Sequence, residues 1–521
     1  MKHLSRRHFL IASGLGLSVW LPGPINSVVL GAAATRKRRH LINIQGFGGW
    51  DSTWHHSPML ERDTQGLTDD QIKANFLGVY DTPRFPDDKA PTFCGRNDQR
   101  LGVGLSAFTA QDQNDILIWR GIDSKASHDI GNRYTQCGSL SGYAASYSTL
   151  IAKALAMSPD YLRPLHYVQT TGTPVDFRSQ VGFVTGAGVP INLPSNTDWI
   201  QLSATDPNDP IATQALKTRF GTMFDKLMTP SGMKPASAKK MTDEFGPSYD
   251  AAETVRNKNY GTSPAFLQIM ESYKQAIIKD VAHVMFNAPG SPFAREGLKD
   301  FGTRLPTAAG GVGAFLTTHF GGTLDAIVYP IAVAQYLVTQ DLSAVVDCTV
   351  RFGDFHNSNH VDFLQVVVAT SALRKLLATL RTTPVAAGSS ESLLDVTTVV
   401  MSTEFDRTVN RYPQDPAGAP GTNHGATVSM ILAGYGVNRG KIIGGRGSGP
   451  AGTFGGLGAA NRFNGPLPID LTTGLPSGSG TLVDNGTIHP TILKIFGLIQ
   501  PSQQFIGAQT LNAVIRPGHM G

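Results

Sequence analysis

The stretch S-A-V-V-D-C-T-V-R-F-G-D-F-H-N-S-N-H, residues 343–360, decides the fold of this chain. Its first eight residues are mostly apolar and rich in β-branched side chains, which predicts a short buried strand. The residues that follow, V-D-F-L-Q-V-V-V-A-T-S-A-L-R-K-L-L, predict a helix. A polar loop therefore joins the carboxyl end of a strand to a helix, and open α/β sheets bind their ligands at this position.

This loop carries one carboxylate and two imidazoles within seven positions, at Asp354, His356 and His360. Such a set suits zinc, manganese or iron. Since His356 and His360 are four residues apart, both could ligate from the first turn of the helix. A solvated polar loop in which Asn359 caps the helix explains the same residues without a metal. The residues alone leave both interpretations open.

Other apolar runs alternate between strand and helix patterns along the chain. Strands are predicted at residues 40–45, 116–120, 396–402 and 428–433, and helices at 265–286 and 324–339. This alternation predicts one α/β domain with a doubly wound, mainly parallel sheet and helices on both faces. Between residues 145 and 322 the pattern is irregular and more helical. There we predict a large insertion that covers one edge of the sheet.

The first 34 residues have the order of an export signal. Residues 5–10, S-R-R-H-F-L, match the twin-arginine pattern, an apolar segment covers residues 11–30, and Ala32-Ala33-Ala34 offers a cleavage site. Glycine and proline interrupt the apolar segment, so we do not expect a stable transmembrane span. The sequence therefore predicts export to the periplasm or the cell exterior, with a mature chain that starts at residue 35.

Removal of residues 1–34 lowers the formal net charge from +5 to +2, because the segment holds three cationic residues and no acidic one. The basic run at residues 36–39 predicts a flexible arm, and no other dense basic run or aromatic stacking pattern supports nucleic-acid binding. Cys94, Cys137 and Cys348 lack metal-type spacing, although two of them could pair in an exported protein. Cys348 lies in the predicted buried strand and is expected in the core.

Short polar motifs follow several of the predicted strands. They are G-G-W-D-S (48–52), G-D-F-H (353–356), S-T-E-F-D-R (402–407) and N-H-G (423–425), with Ser127-His128 before the irregular region. In this order, behind a twin-arginine signal, they resemble the exported bacterial family DUF1501, which is related to alkaline phosphatases and sulfatases. The usual family forms are G-G-N-D-G, W-D-T-H, S-E-F-G-R and D-H-G. The resemblance extends from about residue 40 to residue 515.

The resemblance implies an alkaline phosphatase-like sheet that binds one or two divalent ions, such as zinc, manganese or calcium. The ligands that it implies are Asp51, Asp354, His356, Glu404 and His424, and His360 is a further candidate from its spacing. The chain also departs from the phosphatases of the superfamily. Glu404-Phe405 stands where they have Asp-His, and Asn423 replaces a carboxylate, so one imidazole and one carboxylate of a two-metal set are missing.

The resemblance further implies a hydroxyl nucleophile near the first metal-binding aspartate. Ser52, Thr53 and Ser127 are the candidates, and the chain has no C-x-P-x-R sequence of the kind that sulfatases modify. Arg407 could bind a phosphate or sulfate oxygen bidentately. It could equally form a buried salt bridge with Asp406 or Glu404.

Two classes of function remain in competition. One is a metal-dependent hydrolase that acts on small phosphate or sulfate esters. The other is an exported binding, assembly or envelope protein that keeps the fold without catalysis. A hydrolase needs a hydroxyl within about 3–4 Å of the metal centre, near hydrogen-bond reach. A binding protein would have an apolar or acidic side chain in that place.

Overall fold

The computed structural model describes residues 37–50, 52, 55–58, 60, 90–124, 128–139, 145–161, 163, 166–171, 191–193, 264–288, 311–351, 359–407, 425–447, 465–498 and 510–519. Its strands are β1 (His40–Phe47), β2 (Thr92–Phe93), β3 (Arg96–Arg100), β4 (Ile116–Asp123), β5 (Tyr167–Thr171), β6 (Ile191–Leu193), β7 (Val345–Arg351), β8 (Thr397–Thr403), β9 (Thr427–Gly434), β10 (Lys441–Gly444), β11 (Arg446–Gly447) and β12 (Gly465–Pro466). Its helices are α1 (Ala110–Asp115), α2 (His128–Cys137), α3 (Tyr147–Leu155), α4 (Pro264–Ala282), α5 (Val312–Thr339), α6 (Asn359–Thr382), α7 (Leu393–Val396) and α8 (Ile488–Ile495).

Eight strands form the main sheet, in the order β10-β4-β9-β8-β1-β7-β5-β6. Strand β1 lies between β7 and β8 and is parallel to both. Strand β9 is antiparallel to its two neighbours, β4 and β8, so the other seven strands share one direction. The predicted runs at 343–350 and 396–402 thus flank one central strand, and the prediction of a mainly parallel α/β sheet is confirmed.

The side chains of β1 alternate between the two faces of the sheet, as a strand requires. Ile42 and Ile44 belong to a core that includes residues of α4, α5 and α6. Leu41 belongs to a second core, which includes residues of α3 and α8. Helices therefore cover both faces, and two further side chains on the Leu41 face of β1, Asn43 and Gln45, are polar and buried.

Part of the region predicted as an insertion belongs to the main sheet. Strand β5 pairs with β7, and β6 pairs with β5 to complete that edge of the sheet. These strands were not predicted, because β5 reads Y-V-Q-T-T and β6 has three residues, so neither forms a long apolar run. Helix α5 also begins at Val312 rather than at residue 324, and it continues through Gly321-Gly322.

The described part of the basic run, residues 37–39, is held against the folded domain rather than forming the flexible arm that we predicted. Nε of Arg38 lies 3.7 Å from a carboxylate oxygen of Asp341, and the guanidinium of Arg39 stacks over the ring of Tyr435 at 4.0 Å. Buried Arg163 donates to the carbonyl of Lys37 at 2.9 Å and to the Asp341 carboxylate at 2.6 Å. These contacts lie beside the amino ends of the parallel strands.

Cys94, Cys137 and Cys348 are all free thiols in the structure, so the pairing that an exported protein would permit is not formed. Cys348 is buried in β7, as predicted. Among the helices that the structure describes, none is long and apolar enough to span a bilayer.

Candidate functional site

The segments that follow β1 and β8 stay side by side beyond the ends of the strands. Gly46 pairs with Thr403, and the next pair is Trp50 with Asp406. Three residues separate the paired positions on the β1 side and two on the β8 side, so the β1 side bulges by one residue. Such bulges commonly redirect side chains beside active sites.

Two glycines form this bulge. Gly48 and Gly49 have φ values of 104° and 73°, which side chains other than glycine rarely adopt. A Cβ atom on Gly49 would lie 2.3 Å from the Phe405 ring. The bulge turns the backbone N–H and the carbonyl of Gly48 toward the segment after β8. Its N–H donates to Glu404 at 3.1 Å, and its carbonyl accepts a hydrogen bond from Arg407.

Glu404 is a fully buried carboxylate at the carboxyl edge of the sheet. Its Oε1 accepts the hydrogen bond from Gly48, and its Oε2 accepts one from the Asn132 amide of α2 at 2.7 Å. A carboxylate has about four acceptor positions, and each oxygen of Glu404 uses at least one of them in these bonds. Metal-ligating carboxylates are themselves commonly hydrogen-bonded in this way. The setting of Glu404 therefore fits the hard oxygen ligand that the sequence predicts.

Asp406 is a second fully buried carboxylate, and it holds three segments together. Its Oδ1 accepts from the Trp50 indole at 2.9 Å, and its Oδ2 accepts from Thr427 at 2.8 Å and Ser429 at 2.7 Å. Nε2 of His56 lies 3.9 Å from Oδ1, so this contact is electrostatic rather than a hydrogen bond. Asp406 thus joins the β1 loop to β9.

The pKa of Asp406 is lowered, although burial by itself would raise it. The neighbouring His56 and the charge of Arg446 outweigh the cost of burial, so the carboxylate is ionised at neutral pH. Burial lowers the pKa of His56, with further contributions from Arg446 and Arg120, and it lowers the pKa of His55 well below the usual value. Both imidazoles are therefore neutral at pH 7.

Three arginines from different elements hold the loop after β1. Arg120 of β4 donates to the carbonyl of His56 at 3.1 Å, and Arg407 donates to the carbonyl of Gly48. Arg446 of β11 donates to the hydroxyl of Ser52 and to the carbonyl of Arg407, the latter at 3.4 Å. Ser52 is fully buried. A serine hydroxyl beside guanidinium groups favours an anionic ligand.

A family comparison covers the strand and loop that carry Glu404 and Asp406. Residues 389–448 match the model of a family described as a protein of unknown function (DUF1501). This match supports the DUF1501 resemblance with the motif S-T-E-F-D-R inside it. A comparison with curated proteins gave no match.

The DUF1501-based ligand set is described only in part. Glu404 lies at the edge of the sheet where we predicted it. Asp51, Asp354, His356 and His424 lie outside the described residues, and of His360 only its place in the first turn of α6 is described. Their convergence on one centre stays a prediction. Within the described residues, no group of three or more His, Cys, Asp or Glu side chains is arranged to hold a metal ion.

The structure describes two of the candidate catalytic residues, Ser52 and Arg407, and not the others. Ser52 is buried at the carboxyl edge of the sheet, whereas Ser127 and Thr53 lie outside the described residues. Arg407 is fully buried, with its guanidinium at the Gly48 carbonyl and 5.4 Å from the centre of the Phe405 ring. Its two predicted roles, anion binding and structural pairing, both remain compatible with this position.

Sequence reasoning missed the contributions of Arg446, His56 and Asn132. Arg446 lies in a glycine-rich region without a motif, and its contact with Ser52 depends on the two-residue strand β11. His56 lies four residues beyond the G-G-W-D-S motif, and its approach to Asp406 depends on the bulge. Asn132 lies on α2, one helical turn after Ser127-His128. The buried polar side chains of β1 could have indicated a polar partner on a helix that packs against that strand.

Proposed function

We propose that the protein is a metal-dependent hydrolase of small phosphate or sulfate esters. The contact between Arg446 and Ser52 carries this proposal, because it places a buried hydroxyl beside a guanidinium at the carboxyl edge of the sheet. Phosphate and sulfate oxygens are the ligands that arginine binds best. The motif resemblance to DUF1501, which implies a relation to phosphatases and sulfatases, supports the same substrates, and residues 389–448 match that family's model.

Each residue has a distinct role in this proposal. Ser52 is the nucleophile, and Arg407 and Arg446 bind the non-bridging oxygens of the ester. Glu404, with the predicted ligands Asp51, Asp354, His356 and His424, holds one or two divalent ions. Such an ion lowers the pKa of a bound hydroxyl or water and so makes a nucleophile available near neutral pH. Asp406 keeps the β1 loop and β9 in register through its three hydrogen bonds.

We propose in addition that the protein is exported through the twin-arginine pathway. The motif at residues 5–10 and the small-residue cleavage site support this proposal. Replacing both Arg6 and Arg7 by lysine should retain the protein in the cytoplasm of a twin-arginine-competent host. Cell fractionation measures this, and unchanged export of the double variant would contradict the proposed route.

The catalytic proposal is tested with the purified mature chain, loaded separately with zinc, manganese and calcium. Aryl phosphates, phosphodiesters and aryl sulfates are offered as substrates. We expect turnover of at least one class, and Ser52→Ala should lower it by ~10³-fold or more, as the loss of a nucleophile does. Ser57→Ala is a matched control in the same turn, because the Ser57 hydroxyl makes no hydrogen bond in the structure.

Two results would contradict this proposal. The first is no turnover of any substrate class with any of the ions, which would favour a binding or assembly protein. The second is equal activity in Ser52→Ala and Ser57→Ala, which would exclude Ser52 as the nucleophile.

A further inference from the structure

Asn132 lies where a side chain can fix the orientation of Glu404. It is fully buried on α2, and its Nδ2 donates to Glu404 Oε2 at 2.7 Å. Gly48 donates to the other oxygen of the same carboxylate. Two donors from different elements therefore set the plane of the carboxylate, and rotation of the Glu404 side chain would break both bonds.

The orientation of the Asn132 amide is itself fixed by a second amide, that of Gln45. Oε1 of Gln45 accepts from Ser402 at 2.9 Å and from Gln136 at 3.3 Å. Because this oxygen faces two donors, Nε2 of Gln45 is left to donate to Oδ1 of Asn132. The Asn132 oxygen is thus engaged, and its NH₂ group faces Glu404.

This chain of bonds forms a closed loop. It runs from Glu404 through Asn132 and Gln45 to Ser402, which lies two residues before Glu404 on β8. Every bond in the loop joins a donor to an acceptor, and reversing either amide would place two oxygens together. Buried polar networks that are satisfied in this way hold a single arrangement.

We propose that Asn132 is a positioning residue that holds Glu404 in the orientation required to bind a divalent ion. The inference rests on the proposed function, because it takes Glu404 as a metal ligand. Hydrogen bonds to metal-ligating side chains orient them and typically change metal affinity or activity ~10–100-fold when removed. Asn132 occupies this supporting place without being a ligand, since its oxygen is used by Gln45.

The test compares Asn132→Leu with wild type by equilibrium dialysis against manganese and zinc. Leucine has the same branched shape as asparagine, although it is larger, and it cannot donate, so we expect metal affinity to fall ~10–100-fold. Asn132→Ala is the second variant in case the leucine variant does not fold. Asn485→Leu is the matched control, because Asn485 is a buried asparagine that donates to Thr135 of the same helix at 3.2 Å. It should lose comparable stability and keep metal affinity within about twofold of wild type.

A second readout examines the metal-free protein. The difference between the infrared spectra of wild type and Glu404→Gln isolates the carboxylate stretching band of Glu404. Asn132→Leu should shift this band, because Glu404 loses the hydrogen bond from Asn132. Wild-type affinity in Asn132→Leu and Asn132→Ala, or an unshifted band, would overturn the inference. If wild type binds neither of these ions nor calcium, the proposed function fails. The infrared band then decides by itself whether Asn132 orients Glu404.

Discussion

Two buried carboxyl groups on the same sheet, Asp347 and Asp406, differ in the direction in which their pKa values move. Asp347 lies within β7 under α3, and burial raises its pKa despite bonds from Tyr167, Ser148 and Asn43. Asp406 lies just beyond β8, and its pKa is lowered. Both accept hydrogen bonds from hydroxyl groups, so these bonds do not explain the difference.

The difference lies in the side chains beside each carboxyl group. Asp406 has the cation Arg446 and the imidazole of His56 beside it. The residues that lower the pKa of Asp347 are neutral hydrogen-bond donors. We conclude that the interior of the sheet holds its carboxyl group as a structural hydrogen-bonding centre. At the carboxyl edge, by contrast, Asp406 stays ionised although it is buried. Buried groups with shifted pKa values are typical of functional sites.

Removing the Asp406 carboxylate should have the largest effect. Asp406→Ala leaves the Trp50 indole and the hydroxyls of Thr427 and Ser429 without their buried acceptor. We expect the unfolding free energy to fall by ~3–5 kcal/mol, because each buried donor that loses its acceptor costs ~1–3 kcal/mol. Urea unfolding measures this. Asp98→Ala is the control, since Asp98 is exposed and pairs with Arg96 at the surface, and it should cost below ~1 kcal/mol. Equal losses in both variants would contradict a buried charge centre at Asp406.

The bulge can be broken separately from either carboxylate. Gly49→Ala forces a side chain into a left-handed conformation and against the Phe405 ring. We expect a loss of ~2–5 kcal/mol in unfolding free energy, from backbone strain and overpacking together. Gly95→Ala isolates the backbone contribution, because Gly95 has φ +71° with nothing within 4 Å of the added Cβ, and it should lose ~1–2 kcal/mol. Thermal unfolding of the two variants measures the difference, and equal losses would mean that Phe405 moves aside freely.

The opposite pKa directions predict opposite pH dependence. The raised pKa of Asp347 means that its contribution to stability is full below the ordinary value of 3.8 and is lost as pH rises through the raised pKa. The lowered pKa of Asp406 means that its contribution is full above 3.8 and is lost as pH falls through the lowered pKa. From pH 3 to pH 7, wild type should therefore lose stability relative to Asp347→Asn and gain it relative to Asp406→Asn. Unfolding curves at several pH values measure both trends, and slopes of the same sign would refute the comparison.

Single hydroxyl donors provide the smallest test. Ser429 donates to Asp406 at 2.7 Å, and Ser148 donates to Asp347 at the same distance. A hydrogen bond to an ionised group is worth ~1.5–3 kcal/mol and an ordinary one ~1 kcal/mol. At pH 3.8 the lowered pKa keeps Asp406 mostly ionised and the raised pKa keeps Asp347 mostly protonated. At that pH, Ser429→Ala should therefore destabilise the protein more than Ser148→Ala in chemical denaturation. The reverse order would indicate that Asp347 carries the stronger charge.

The central part of the fold could be predicted because its strands are buried on both faces. Strands β7 and β8 are rich in β-branched residues, and this pattern is distinctive. Strand β5 has few apolar residues, and its Tyr167 donates to the buried carboxyl group of Asp347. Its sequence therefore resembles that of a loop. The antiparallel direction of β9 could not be predicted, because direction depends on the connection between strands rather than on the strand sequence.

Only those residues of the candidate site that belong to a sequence motif could be predicted. Glu404, Arg407 and Ser52 belong to motifs that resemble a family, and the structure places them at the carboxyl edge. Arg446 and Asn132 reach the same edge through tertiary contacts over sequence separations of 394 and 272 residues, to Ser52 and Glu404 respectively. No local pattern encodes such contacts.

The metal content of the purified mature protein is the most direct test of the difference between the edge and the interior of the sheet. Wild type, Glu404→Gln and Asp347→Asn are dialysed against zinc, manganese and calcium in turn, and the retained metal is measured by elemental analysis. We expect wild type and Asp347→Asn to retain at least one of these ions, and Glu404→Gln to lose it. A wild-type protein that takes up none of the three, or a Glu404→Gln protein that retains as much as wild type, would contradict a metal site at the carboxyl edge.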